Sequence, residues 1–171
     1  PVIGDTTGGN PGAISCETIG NRIVSTDSTT NTYEHKNTTW DVTATDNVGV
    51  DSLWYVLTGA TTGSGVTLQN VLFNMGTTTV MWTATDTSGN IANCSFNVTV
   101  NDSIPPVIGD TTGGNPNPIS CETIGNQIVS TAADTNVYIH TGINWDVTAT
   151  DNVMLDLLWY DLTGATTGTG N

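Results

Sequence analysis

The sequence predicts an all-β protein, and three features carry that prediction. Apolar and polar residues alternate with a period of two in several segments, which is the pattern of a half-buried strand. Threonine is abundant and 19 glycines punctuate the chain, as in proteins built from strands and turns. No segment shows the 3.6-residue period of an amphipathic helix. We therefore expect short strands joined by turns.

The chain contains an internal repeat, seen most directly in the segment PVIGDTTGGNP, which occurs at residues 1–11 and 106–116. At a constant offset of 105 residues, 48 of the 66 comparable positions are identical. We therefore predict a complete repeat at residues 1–105 and a partial second repeat at residues 106–171. The second repeat lacks a counterpart of residues 67–100, so its core face and a strand edge should be exposed. We expect that the natural chain continues past Asn171, or that strands from another chain fill the gap.

The first third of the repeat contains two predicted strands and two loops. Residues 1–3 resemble a short edge strand. The glycine-rich loop at residues 4–11 is expected to be a turn, because a phosphate-binding loop needs a following helix. Residues 14–24 favour a second strand, and residues 27–36 are polar, as in a loop.

Two further strands are predicted in the middle of the repeat, at residues 38–45 and 50–57. Alternate side chains should face the core: Trp40, Val42 and Ala44 in the first strand, and Leu53, Tyr55 and Leu57 in the second. Trp54 and Val56 then face the opposite way. A Gly/Thr/Ser loop at residues 59–65 precedes another apolar segment at residues 66–73.

The repeat closes with a hairpin at residues 77–100, whose two arms alternate in period two around a turn at residues 87–90. Pro105 and Pro106 follow; they remove backbone donors, so no strand ladder continues through them, and they predict a semi-rigid junction. About seven short strands in a hundred residues is the number found in an immunoglobulin-like sandwich. The predicted fold is therefore tandem immunoglobulin-like β-sandwiches, the second one incomplete.

Charge excludes two classes of partner. The chain has sixteen acidic residues and only two basic ones, Arg22 and Lys36, so its net charge is −14. Nucleic acids and anionic membranes are bound through lysine and arginine, so neither is an expected partner. No apolar run approaches the roughly twenty residues of a membrane helix, and Pro1 follows no targeting segment.

Several motifs of the first repeat occur in an order that resembles a hyalin repeat (HYR) domain. They are WDVTATDN at residues 40–47, FNMGTTTV at 73–80, TATDTSGN at 83–90 and CSFNVTV at 94–100. The second repeat lacks the Gly-Asn and Cys-x-Phe half of this pattern. The resemblance implies an immunoglobulin-like fold, tandem arrays in extracellular proteins, and adhesive or structural rather than catalytic work. The threonine- and glycine-rich composition is most similar to repeats of long bacterial surface adhesins.

Cysteines suggest a disulfide between Cys16 and Cys94, which fall in the first and last parts of the predicted sandwich. Closing so long a loop would contribute about 4 kcal/mol to stability in the chain-entropy model and would imply an oxidising compartment. The alternative is two buried free thiols. A cysteine metal site is disfavoured because no Cys-x-x-Cys pair occurs. Cys121 is expected to have no partner within the chain.

No catalytic motif is present in the sequence, and no enzyme is predicted. His35 and His140 occupy equivalent positions without a second histidine or cysteine nearby, and both are expected in surface loops. Neither a Gly-x-Ser-x-Gly nor a His-Glu-x-x-His motif occurs.

Calcium is the one cofactor that the sequence suggests. Hard oxygen ligands cluster in turns and around the proline junction: Asp46, Asn47, Asp51, Asp86, Asp102 and Asp110. The alternative is that Asp and Asn are ordinary turn residues.

The sequence contains acceptor patterns for two kinds of glycan. The Asn-x-Ser/Thr acceptor pattern occurs at Asn37, Asn93, Asn97 and Asn101, the last three on the outward face of one predicted strand. Asp-Ser and Asp-Thr pairs that resemble bacterial O-glycan acceptors lie at Thr6, Ser28, Ser52, Ser103 and Thr111.

Two functions follow from these features. The first is a non-enzymatic, extracellular structural or adhesive module of a long cell-surface adhesin or fibre, with adjacent repeats and other copies as partners. The second is a carbohydrate-binding module in which Trp54 and Trp159 stack on sugar rings. Exposure of these two indoles separates the hypotheses, because a buried indole cannot bind a sugar.

Overall fold

The computed structural model describes residues 1–5, 12–109 and 117–171. It divides into two compact units, Pro1–Ser103 (unit 1) and Ile104–Asn171 (unit 2). Most of the predicted loop at residues 4–11, together with Thr6, Asp110 and Thr111, lies outside the described residues.

The regular secondary structure of unit 1 is almost all strand. Its elements are β1 (Val2–Ile3), α1 (Cys16–Ile19), β2 (Arg22–Ser25), β3 (Thr32–His35), β4 (Ala44–Thr45), β5 (Val50–Gly59), β6 (Gly63–Gly65), β7 (Val71–Asn74), β8 (Gly76–Asp86) and β9 (Ile91–Asn101). Unit 2 contains β10 (Val107–Ile108), α2 (Cys121–Ile124), β11 (Ala149–Thr150), β12 (Tyr160–Leu162) and β13 (Gly168–Gly170). The predicted all-β class is confirmed.

The main sheet of unit 1 has five strands in the order β2-β9-β8-β5-β6. The pairs β9-β8, β8-β5 and β5-β6 are antiparallel, whereas β2 runs parallel to β9. Two smaller antiparallel pairs, β3-β7 and β1-β4, complete the unit. The long hairpin β8-β9 is the predicted closing hairpin, and it forms the centre of the sheet.

The core of unit 1 lies on the inner face of this sheet. Side chains from β5, β8 and β9 pack there against Trp40 and against Phe73 of β7. Val80, Trp82, Val98 and Val100 are completely buried, in agreement with the predicted alternation. Burying one such side chain contributes roughly 1.5–3 kcal/mol, so the closing hairpin supplies much of the stability.

One predicted strand, at residues 14–24, is wrong in its first half, which forms the single turn α1. Ser15 caps this turn: its hydroxyl accepts from the Thr18 amide at 3.1 Å, and the Thr18 hydroxyl accepts from the Ser15 amide at 2.8 Å. Gly20, at φ +66°, then ends the turn. Local capping therefore overrides the apolar spacing, and the strand is limited to β2.

Three loop and strand boundaries also differ from the prediction. Residues 27–36 contain β3, and residues 59–65 contain β6, although both segments are polar or glycine-rich. β3 pairs with β7, which is distant in sequence, and β6 pairs with β5 across a turn. Local composition does not reveal either pairing. Residues 38–45 form a strand only at β4, yet Trp40 and Val42 are buried as predicted.

Unit 2 repeats the local structure of the first part of unit 1 without its core. The turn α2 has the same capping box, now made by Ser120 and Thr123, and β10 pairs with β11 in the register of β1 with β4. No apolar side chain among the described residues of unit 2 is buried.

Candidate functional site

The disulfide between Cys16 and Cys94 joins α1 to β9. The two Cα atoms lie 5.8 Å apart, and the bond closes a loop of 78 residues in sequence separation. Cys16 is buried and Cys94 packs against the core cluster. The predicted disulfide is present, and the alternative of two free thiols is wrong. Cys121 is a free, exposed cysteine.

The end of unit 1 is fastened to β2 by hydrogen bonds at the far end of β9 from Cys94. Thr26 donates its amide to the Asn101 carbonyl at 3.0 Å, and the Ser103 hydroxyl donates to the Ser25 hydroxyl at 2.7 Å. With the four paired residues of β2 and β9, these bonds hold the outgoing chain against the strand that follows α1. The disulfide and these hydrogen bonds therefore join β9 and the residues after it to the segment that runs from α1 to Thr26.

Asp41 is a structural residue that the sequence analysis did not single out. Its carboxylate accepts from the Leu68 amide and from the Thr67 hydroxyl, each at 2.7 Å. These bonds anchor the crossing from β6 to β7 and place the fully buried Leu68 in the core. The available clue was that this aspartate follows a core tryptophan and recurs at Asp146.

His35 is buried, so its predicted position in a surface loop is wrong. It lies on β3 and stacks on Trp40, with ring centroids 3.8 Å apart and planes inclined by 11°. Neither ring nitrogen has a hydrogen-bond partner among the described residues. Burial lowers the pKa of His35; Asp41 opposes this shift and Arg22 adds to it. The half-buried His140 stacks on Trp145 in the same way, at 3.9 Å.

Two calcium candidates, Asp46 and Asp86, accept hydrogen bonds within the turns in which they lie. Asp46 accepts from the amides of Val48 and Gly49 at 2.9 and 3.1 Å. The Val48 amide is the main cause that lowers the pKa of Asp46, and the Gly49 amide adds to it.

Asp86 accepts from the Ser88 and Asn90 amides, both at 2.8 Å, and from the Asn90 side chain at 2.7 Å. The Asn90 side chain is the main cause that lowers the pKa of Asp86. The carboxylate therefore closes the turn of the β8-β9 hairpin.

The remaining calcium candidates are scattered. Asn47 and Asp51 are exposed, and Asp102 follows β9 at the opposite end of that strand from the hairpin turn, where it accepts from Thr26 at 3.4 Å. Within the described ranges, no three His, Cys, Asp or Glu side chains form a group able to hold a metal ion. Calcium binding stays a prediction.

The comparisons with known proteins agree with the motifs of the first repeat. The family model described as HYR domain matches residues 9–100. The chain belongs to the HYR domain family. No curated protein and no solved structure matches the chain.

HYR domains are extracellular repeat modules of an adhesion type, and catalysis is not known for the family. The Cys16–Cys94 disulfide fits a secreted or surface protein. None of the helices in the described residues is long and apolar enough to cross a membrane.

The glycan candidates of the HYR domain lie mainly at its surface. Asn37, Asn93, Asn101, Ser28 and Ser103 are exposed, whereas Asn97 and Ser52 are half-buried. The inward burial of Phe96, Val98 and Val100 places the three asparagines of β9 on its outward face. The Asn97 side chain also accepts from the Thr79 hydroxyl at 2.9 Å. Glycosylation stays a prediction.

Both tryptophans of the sugar-binding hypothesis are exposed. Trp54 of β5 is 38% exposed and Trp159 is 62% exposed. Trp54 faces outward in register with Thr83, which is itself paired with Asn93. Both indoles are therefore accessible to solvent, as the sugar-binding hypothesis requires. Carbohydrate binding stays a prediction.

Acidification is expected to destabilise unit 1 through His35. Because burial lowers its pKa in the folded chain, the unfolded chain takes up a proton first as the pH falls. This destabilisation by His35 is absent above the unfolded pKa of about 6.5. Stability is then lost from that pH downward until the folded pKa is passed.

Urea denaturation of the full chain between pH 8 and pH 5, followed by tryptophan fluorescence, measures this loss. His35→Phe keeps a ring on Trp40 and removes the titrating group, so its stability should fall less across this range. His140→Phe is the matched control and should leave the pH dependence of unit 1 unchanged. Equal pH dependence in His35→Phe and the natural sequence would contradict the assignment.

Proposed function

We propose that this chain is a force-transmitting structural module of a long extracellular adhesin or surface fibre. The observation that carries the proposal is the covalent link between the first helical turn and the last strand of unit 1. Cys16 lies early in the unit and Cys94 lies nine residues before its end at Ser103. Tension applied to the two ends therefore passes through the sulfur–sulfur bond and bypasses the residues between them.

The hydrogen bonds around this path also resist tension. Once the disulfide is reduced, pulling on the two ends of unit 1 loads the parallel β2-β9 pair along its strands, so its hydrogen bonds then carry the force. The bonds from Thr26 to Asn101 and from Ser103 to Ser25 extend the same ladder past β9. A module of this kind keeps most of its chain folded while the ends carry load.

Composition supports the same proposal. Near-identical repeats separated by Pro105 and Pro106 are the arrangement of an array whose junctions have few backbone states. A net charge of −14 favours solubility at the cell surface. Adjacent repeats and other copies in a fibre are the expected partners, with the adhesive tip held at a distance from the cell.

Single-molecule stretching of the full chain tests the proposal, in a Cys121→Ser background that prevents unwanted thiol chemistry. Without reductant, unfolding of unit 1 should release only the residues outside the disulfide loop. Reduction should add about 26 nm of contour, since the two cysteines are separated by 78 positions in sequence at roughly 3.4 Å each.

The matched control is the Cys16→Ser, Cys94→Ser double variant, in which reductant should change nothing. The proposal fails if the oxidised chain already releases the full length. It also fails if unit 1 opens at forces no higher than those that extend an unfolded chain.

A further inference from the structure

The main sheet of unit 1 carries an exposed tryptophan on its outward face. Trp54 of β5 is 38% exposed, whereas the adjacent Tyr55 points into the core and is 5% exposed. Trp54 pairs in register with Thr83 of β8, and Thr83 pairs with Asn93 of β9. We define the outer patch as this cross-strand row and the next row on the same face: Trp54, Thr83, Asn93, Val56, Met81 and Ser95.

The burial of Thr83 indicates how the Trp54 indole lies on the patch. Thr83 is 8% exposed although it is on the outward face, since its neighbours Trp82 and Ala84 point into the core. Another side chain must therefore cover Thr83, and Trp54 is the largest that lies beside it in register. The indole thus lies along the sheet over Thr83, with its other ring face toward solvent.

Polar groups beside the indole are unoccupied. Among the described residues, the side chains of Thr83, Asn93 and Ser95 have no hydrogen-bond partner. Further along the same face the polar side chains bond to each other, as Thr79 does to Asn97 at 2.9 Å. The outward face is therefore satisfied within the protein at one end and open to a ligand around Trp54.

The outer patch is uncharged in a strongly acidic chain. None of its six residues is Asp, Glu, Lys or Arg, although the chain has a net charge of −14. An anionic ligand would be repelled by the chain and would meet no cation on the patch. A cationic ligand would meet no carboxylate there. The patch therefore suits a neutral ligand.

The size of the outer patch fits a small ligand better than a protein. Three strands span about 10 Å, and a stable protein interface needs roughly 20–30 residues on each side. A pyranose ring has an apolar face of C–H groups that packs on an indole, and its hydroxyl groups donate and accept hydrogen bonds at its edge. The patch offers an apolar plane with unoccupied hydroxyl and carboxamide groups beside it.

We propose that the outer patch of unit 1 binds a neutral glycan. One pyranose ring stacks on the Trp54 indole, and its hydroxyl groups bond to the Asn93 carboxamide and the Thr83 hydroxyl. Met81, which is 42% exposed, extends the apolar contact to the next ring. The site belongs to unit 1 alone and needs neither Trp159 nor any other part of unit 2. Stretching of unit 1 does not depend on this site, so either proposal can fail without the other.

NMR titration of the isotope-labelled full chain, made in a host that attaches no glycans, tests the proposal. The probes are cellohexaose, mannohexaose and chitohexaose at millimolar concentration. With at least one of them, the indole N–H signal of Trp54 and the backbone amides of Thr83 and Asn93 should shift together. The indole signals of the core residues Trp40 and Trp82 should stay in place. Absence of the Trp54 indole signal in Trp54→Ala assigns it.

Variants of the patch should weaken binding of the same hexasaccharide, as followed by the amides of β8 and β9. Trp54→Ala should weaken it at least tenfold, whereas Trp54→Tyr keeps a stacking ring and should lose less. Asn93→Ala should weaken it about fivefold, the effect of one hydrogen bond. Unchanged signals of the other β8-β9 amides show that each variant is folded.

Two matched controls should leave the affinity unchanged. Asn97→Ala removes the same residue type from the same face of the same strand, but that side chain already accepts from Thr79. Trp159→Ala removes the exposed indole of unit 2.

Four results would overturn the proposal. The first is that none of the three hexasaccharides shifts the patch signals. The second is that hexagalacturonic acid, which is anionic, binds as tightly as the neutral sugars. The third is that Trp159→Ala weakens binding as much as Trp54→Ala. The fourth is that the patch signals shift with chain concentration in the absence of sugar, which would assign the patch to a second copy of the chain.

Discussion

Replacing Cys16 and Cys94 by alanine is expected to lower the free energy of unfolding of unit 1 by about 4 kcal/mol. The bond closes a loop of 78 residues, so its removal returns a large conformational entropy to the unfolded chain. The effect is large because the loop spans almost the whole unit. A domain of this size has roughly 5–15 kcal/mol of stability, so much of it depends on this bond.

Guanidinium denaturation of the full chain, followed by tryptophan fluorescence and by protection of the β8-β9 amides, measures the loss. Cys121→Ala is the matched control: that cysteine is free and exposed, and its replacement should leave unit 1 unchanged. A loss under about 1 kcal/mol in the double variant would show that the reduced unfolded state is already as restricted as the bridged one.

The hairpin β8-β9 shows what the sequence alone can predict. Both arms alternate strictly, the turn carries Asp86, Gly89 and Asn90, and the whole element is local. Alternation of apolar and polar residues also predicted the core positions of β5 and β9. The order of cysteines and motifs along the chain predicted the disulfide and the HYR family. In each case the residues that decide the structure lie close together or in a fixed order.

The errors occur where distant parts of the chain decide the structure. β3 is a polar segment that becomes a strand because β7, some forty residues later, pairs with it. His35 is buried for the same reason, because that pairing turns its ring onto Trp40. At α1 the competing effect is local: the hydroxyls of Ser15 and Thr18 satisfy the first amides of a turn, which the apolar spacing concealed.

Comparison of unit 2 with unit 1 shows which elements form from local sequence and which need residues 67–101. The helical turn, the short β-pair and the histidine–tryptophan stack persist there, so the first 66 residues of the repeat encode them without help. The strands equivalent to β2 and β3 are absent from residues 127–130 and 137–140, and no core forms in the described part of that unit. The sandwich therefore depends on residues 67–101.

Trp82 is the residue of that segment whose loss should cost most. It is fully buried in the centre of β8, contacts Tyr55 edge to face at 5.2 Å, and lies opposite Cys94 in register. Its indole nitrogen is buried and finds no acceptor among the described residues. The site therefore selects the size and shape of the indole rather than its hydrogen bond.

Trp82→Ala is expected to lower the free energy of unfolding of unit 1 by about 3–5 kcal/mol, because it removes a fully buried tryptophan and leaves a cavity. Trp82→Phe should cost less, since it keeps an aromatic ring and removes the unpaired donor. Trp54→Ala, on the outward face of the adjacent strand, is the matched control and should cost under about 1 kcal/mol. Equal losses for Trp82→Ala and Trp54→Ala, in denaturation followed by circular dichroism, would mean that the inner face of the hairpin does not hold the sandwich together.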